Sequence, residues 1–110
     1  MAIADDCLKI LREVVPSVVL AYKVHYIGLS IDGIARNFAI MRPKREFLRV
    51  AARVGKPETW ADRLEEAGIV VMEGGRSRGR IVFRLGSQDL KNHHDLLHEL
   101  FAAAYGVTEE

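Results

Sequence analysis

The sequence predicts a small α+β domain: a mainly antiparallel five-stranded sheet with about three helices packed on one face, in the order α-β-β-β-α-β-β-α. Three observations predict it. Apolar residues recur at spacings of three and four near both ends and once in the middle, which is helical periodicity. Between them lie β-branched segments whose apolar and polar residues alternate. Hairpin signals join neighbouring segments, and hairpins make antiparallel pairs.

The elements follow in order. Ile3, Cys7, Ile10, Leu11 and Val14 define a helix over 3–14, and Pro16 limits it. A strand is expected over 22–31, where Val24, Tyr26, Gly28 and Ser30 alternate with His25, Ile27, Leu29 and Ile31. Asp32-Gly33 is a two-residue turn signal leading to a second strand over 35–42. Arg42-Pro43-Lys44-Arg45 turns the chain into a third strand over 46–54. Pro57 and Glu58 open a helix that runs through Trp60, Leu64 and Ala67 and stops at Gly68. Ile69 to Met72 is a short apolar strand, and Gly74, Gly75 and Gly79 bracket a loose tip. Arg80 to Leu85 is the last strand. Ser87 caps a helix reaching Tyr105, Gly106 ends it, and residues 107–110 form a frayed tail.

The chain of 110 residues is of single-domain length, with an ordinary 49% apolar and 28% charged residues. The one cysteine, Cys7, permits no internal disulfide. The first ten residues carry acids where a signal peptide needs basic residues, and no apolar run has the length of a membrane span. A cytoplasmic protein without a membrane partner is the expectation.

A net charge of +1 conceals a polarity. Residues 36–84 hold twelve basic and six acidic side chains, and the remainder holds four basic and nine acidic. The stretch 36–56 alone carries seven basic residues and one acid, Glu46. Alternation places Leu48, Val50, Ala52 and Val54, and Ile81, Phe83 and Leu85, under the helices. Arg49, Arg53, Arg80 and Arg84 then stand on the open face. Arg42, Lys44 and Arg45 extend this field through one turn, and Arg76 and Arg78 through the glycine-rich tip. Guanidinium groups suit phosphates and carboxylates because they donate paired hydrogen bonds. These nine residues are the candidate anion or nucleic-acid contacts. The plain alternative is a solvated face whose arginines pair with nearby glutamates. Near-neutral overall charge and 7% aromatic residues fall short of a nucleic-acid signature.

Catalytic patterns are sparse. Asp32, Glu46 and Glu73 fall in or beside turns rather than in the clustered arrangement a metal-dependent nuclease needs. Gly74 to Gly79 lies between strands, so it is not a phosphate loop. Cys7 sits on a helix's apolar side and is expected to be inert. His94 and His98, four apart, resemble half of a zinc site without a third ligand, and His93 belongs to the apolar stripe of its helix. No metal, cofactor or catalytic residue is assigned.

Tyr22-Lys23 with Tyr26-Ile27-Gly28-Leu29, Asn37-Phe38 and Arg42-Pro43-Lys44 resemble an uncharacterised bacterial domain family. Gly79-Arg80, Arg84-Leu85, Asp89-Leu90, His94 and Leu96-Leu97 continue the likeness, which spans residues 15 to 105. In that family the domain often lies at the C-terminus of predicted transport proteins or nuclease- and restriction-associated proteins. The resemblance implies an accessory module near DNA-processing proteins and brings no catalytic residues. The leading expectation is a non-catalytic module that contacts nucleic-acid phosphates or another polyanion through the arginine face. The alternatives are a protein-interaction or homodimerisation domain accessory to a DNA-processing system, and an enzyme with an unrecognised site.

Overall fold

The computed structural model describes the backbone of residues 2–77 and 79–109, and the side chains of residues 3–72 and 79–107. The elements are α1 (Ala2–Val14), β1 (Val18–Tyr22), β2 (Ile27–Ile31), β3 (Ile34–Ala35), β4 (Ala39–Pro43), β5 (Leu48–Arg53), α2 (Pro57–Glu66), β6 (Val71–Ser77), β7 (Arg80–Leu85), α3 (Ser87–Asn92) and α4 (His94–Glu109). The expected α+β class is correct, with an antiparallel sheet and four helices. The sheet has seven strands rather than five, in the order β1-β2-β4-β5-β7-β6, with β3 paired to β2.

The two extra strands arise on either side of the Asp32-Gly33 turn, with β1 and β2 before it and β3 and β4 after it. The expected strand over 22–31 is the end of β1, a turn and β2. Lys23 N–H donates to the Tyr26 carbonyl at 2.9 Å, closing that turn, and the ladder runs from Val18↔Ile31 to Tyr22↔Ile27. Neither glycine nor proline marks it, although the apolar positions change phase there, from Tyr22, Val24 and Tyr26 to Ile27, Leu29 and Ile31. The Asp32-Gly33 turn is as expected, both residues having positive φ (52° and 81°), as a two-residue turn of the primed type requires. It leads only to the two-residue β3. The chain then irregularly crosses Arg36–Phe38 before β4 re-pairs with β2 at Ile27↔Met41.

The remaining differences are local. Gly74 and Gly75 lie within β6, not in a loose tip, where a register shift between Val71 and Arg76 forms a bulge that glycine accommodates. The hairpin turn falls after Ser77, with Gly79 at φ 73°. The long C-terminal helix divides at His93 (φ −127°, ψ 34°) into α3 and α4. Its N-cap is Gly86, whose N–H donates to Asp89 Oδ2 at 2.8 Å; Ser87 is the first helical residue. Gly106 does not end α4, which runs through Glu109 because no left-handed residue interrupts it.

The core lies between the helices and one sheet face. Ala4, Cys7 and Leu11 of α1, Ala61 and Leu64 of α2, and Leu97, Leu100, Phe101 and Ala104 of the C-terminal helix are fully buried. They join Leu29, Met41, Leu48, Val50, Ala52, Ile81, Phe83 and Leu85 from the strands in one cluster. Leu48, Val50, Ala52, Ile81, Phe83 and Leu85 are the alternate residues expected to face inward, so the other face of β5 and β7 is open by the same arithmetic. No buried side-chain nitrogen or oxygen among the described residues lacks a partner. Burial pushes the Cys7 thiol up to about 12, so it stays protonated and inert inside the core.

Candidate functional site

The open face is organised as cross-strand rows. The β4–β5 ladder sets Arg42 opposite Arg49, and the β5–β7 ladder sets Arg49 opposite Arg84 and Arg53 opposite Arg80. Three arginines thus form one row and two form another. Between them runs an apolar row, Ile40↔Ala51↔Val82, from the same ladders. Like charges directly opposite one another in a sheet are unfavourable, typically by a few tenths to about 1 kcal/mol per pair. Among the described residues, no carboxylate lies within ion-pair distance of Arg42, Arg49, Arg53 or Arg80, so the expectation of glutamate pairing is not met there.

Arg84 differs from its row neighbours. Its guanidinium lies over the Phe47 ring, 4.6 Å from the centroid, and its Nε donates to Met72 Sδ at 3.2 Å. It is docked against the protein, whereas Arg42, Arg49, Arg53 and Arg80 line open space. Two adjoining recesses lie there. One, of about 80 Å³, is lined by Ile40, Arg42, Arg49, Ala51, Arg80 and Val82. The other, of about 280 Å³, adds Arg53, Tyr26 and Asn37 to shared walls. Lys44 stands at the end of β4, beside a third recess with Tyr22, Val24, His25 and Tyr26. Arg45 is exposed on the β4–β5 turn. The side chain of Arg76 and all of Arg78 lie outside the described residues, as does the Glu73 side chain.

Sequence reasoning placed the arginines but missed the floor and one wall. Ala51 and Val82 were legible as outward members of their strands; Tyr26 and Asn37 were not assigned to this face. The β2–β4 crossing brings Asn37 there. Its Oδ1 accepts the Leu29 N–H at 2.8 Å while Arg36 N–H donates to the Leu29 carbonyl at 2.9 Å, so the irregular segment satisfies Leu29 where the ladder does not. Gly28 makes room: a Cβ there would lie 2.6 Å from Asn37 Oδ1 and 3.3 Å from Tyr26 Cε2.

The histidines form a different arrangement, on the helical side. The Glu13 carboxylate of α1 receives His94 Nε2 at 2.8 Å and His98 Nδ1 at 3.0 Å. These bonds, with His98 first, hold Glu13 below the ordinary carboxylate range, while Glu13 and then Asp95 hold His94 above its ordinary value. The spacing of four reads here as two imidazoles gripping one acid across the α1–α4 contact. No cluster of three or more metal-ligating side chains able to hold an ion occurs among the described residues. Nor is any helix there long and apolar enough to cross a membrane. A search of known protein families, curated proteins and solved structures finds no match to this chain.

Proposed function

We propose that the open sheet face binds the phosphate backbone of nucleic acid, without catalysis. One observation carries this reading: three arginine–arginine cross-strand pairs stand on a single face, and none of the five guanidinium groups has a carboxylate within ion-pair distance among the described residues. A bound polyanion turns that repulsion into attraction, and guanidinium forks match phosphate oxygens. Such contacts give affinity and orientation rather than sequence choice. Lys44 and Arg45 extend the charged surface at one end of β4.

The test is fluorescence anisotropy with labelled oligonucleotides at two salt concentrations. Four phosphate contacts give a salt slope of about −3.6 on duplex, so raising salt from roughly 50 to 200 mM weakens binding on the order of 100-fold. Arg49→Glu with Arg53→Glu abolishes binding. Unchanged affinity in that folded double variant refutes the reading.

A second reading has its own support. Strand β1 is at the sheet edge, and Val19 and Tyr22 on it, with Val24 beyond, are exposed apolar side chains. An edge of this kind can pair with a second copy about a two-fold axis. Light scattering that returns a monomer mass at every concentration removes it.

A further inference from the structure

We infer that the larger recess of the arginine face receives one unpaired nucleobase, so that the partner is a single strand rather than a duplex. This rests on the phosphate-binding reading above and specifies its ligand.

The floor is apolar. Ile40 and Ala51, on neighbouring strands between the arginine rows, line it, and Val82 continues the strip into the smaller recess. Phosphates gain nothing from such a strip, and a duplex presents chiefly phosphates and sugars to a flat surface. A base taken out of a strand presents a planar face that the strip can cover. Tyr26 supplies one aromatic wall, and Arg42, Arg53 and Arg80 supply guanidinium planes around it. Unstacked bases are held on tyrosine rings and arginine planes in this way.

Asn37 supplies a fixed polar group. Its Oδ1 is committed to the Leu29 N–H, which sets the sense of the amide. The Nδ2 group is left with two N–H donors and no acceptor among the described residues. Asn37 lines the same recess. A donor held in place by the backbone is suited to a base carbonyl, as on thymine or uracil. The absence of a side chain at Gly28 is what allows Asn37 and Tyr26 to lie over the sheet there. Arginines stand on both sides of the recess, so the phosphates before and after the inserted base each meet a guanidinium.

The experiment compares labelled oligothymidine of about 12 nucleotides, within the site size of a small single-strand binder, with a duplex of equal length at the same salt. The single strand binds at least roughly tenfold more tightly, the lower part of the range for one stacked base. Asn37→Ala removes the donor, and Ala51→Met fills the floor without touching a hydrogen bond. Each weakens oligothymidine binding by about tenfold and leaves duplex binding and the salt slope at wild-type values. Thermal melting verifies that each variant is folded. Equal binding of both probes, or wild-type affinity for oligothymidine in folded Ala51→Met, overturns the recess and leaves the phosphate reading standing. No binding of either probe at low salt overturns the phosphate reading, and the recess with it.

Discussion

Arg49 is the shared member of two cross-strand arginine pairs, with Arg42 on one side and Arg84 on the other. If the face is kept for an anion, its charge should cost the free protein stability. Arg49→Gln keeps most of the side-chain stem over the floor and removes the charge. Each like-charge pair relieved is worth about 0.2–1 kcal/mol, so two give about 0.4–2 kcal/mol of added stability. For a domain of this size that is a rise in Tm of roughly 2–8 °C. The gain should be largest at low ionic strength and should shrink as salt screens the pairs, with a Debye length of about 10 Å at 0.1 M. The same variant should bind oligonucleotide more weakly, so stability and affinity move in opposite directions. Scanning calorimetry at low and high salt, paired with anisotropy, measures both. A variant that melts below wild type at low salt, or whose gain is indifferent to salt, refutes the premise that these arginines repel one another in the free protein.

Two further outcomes follow from local geometry. Gly28→Ala places a Cβ 2.6 Å from Asn37 Oδ1, displacing the amide and leaving the Leu29 N–H without its acceptor; urea unfolding should show a loss of about 1–3 kcal/mol, and wild-type stability would contradict the account of that crossing. The Glu13 clamp should respond to pH from both sides. Glu13 is held below its ordinary 4.5, so its contribution is present above that value and lost as pH falls through the lower folded one. His94 is held above its ordinary 6.5, so its contribution is complete below 6.5 and lost as pH rises through the higher folded value. Glu13→Gln should lower the NMR titration midpoint of His94; an unmoved midpoint would show that Glu13 is not what raises it.

The α+β class and the sidedness of the sheet were legible in the residue order because side-chain direction in a strand has a period of two. Leu48, Val50 and Ala52 against Arg49, Ala51 and Arg53 is a pattern with only one reading once a strand is granted, and so is β7. The Asp32-Gly33 turn was legible because positive φ at two successive residues restricts the residues that can stand there. The turn over Lys23–Tyr26 carries no such restriction, so the expected strand runs through it from 22 to 31 and leaves Val18–Ala21 of β1 outside. The β6 glycines read as a tip because glycine marks turns and bulges alike, and only the pairing with β7 separates the two.

The sequence by itself therefore determined which side chains face the core, which arginines face outward and how charge divides along the chain, since these follow from neighbours in the chain. The tertiary structure alone decided that Arg42, Arg49 and Arg84 stand in one row, that Asn37 closes the β2–β4 crossing over Gly28, and that Glu13 meets His94 and His98. Those contacts join residues from different elements, up to 85 positions apart, and depend on strand order and register. Many pairings satisfy the same local alternation, and packing the shared core selects among them.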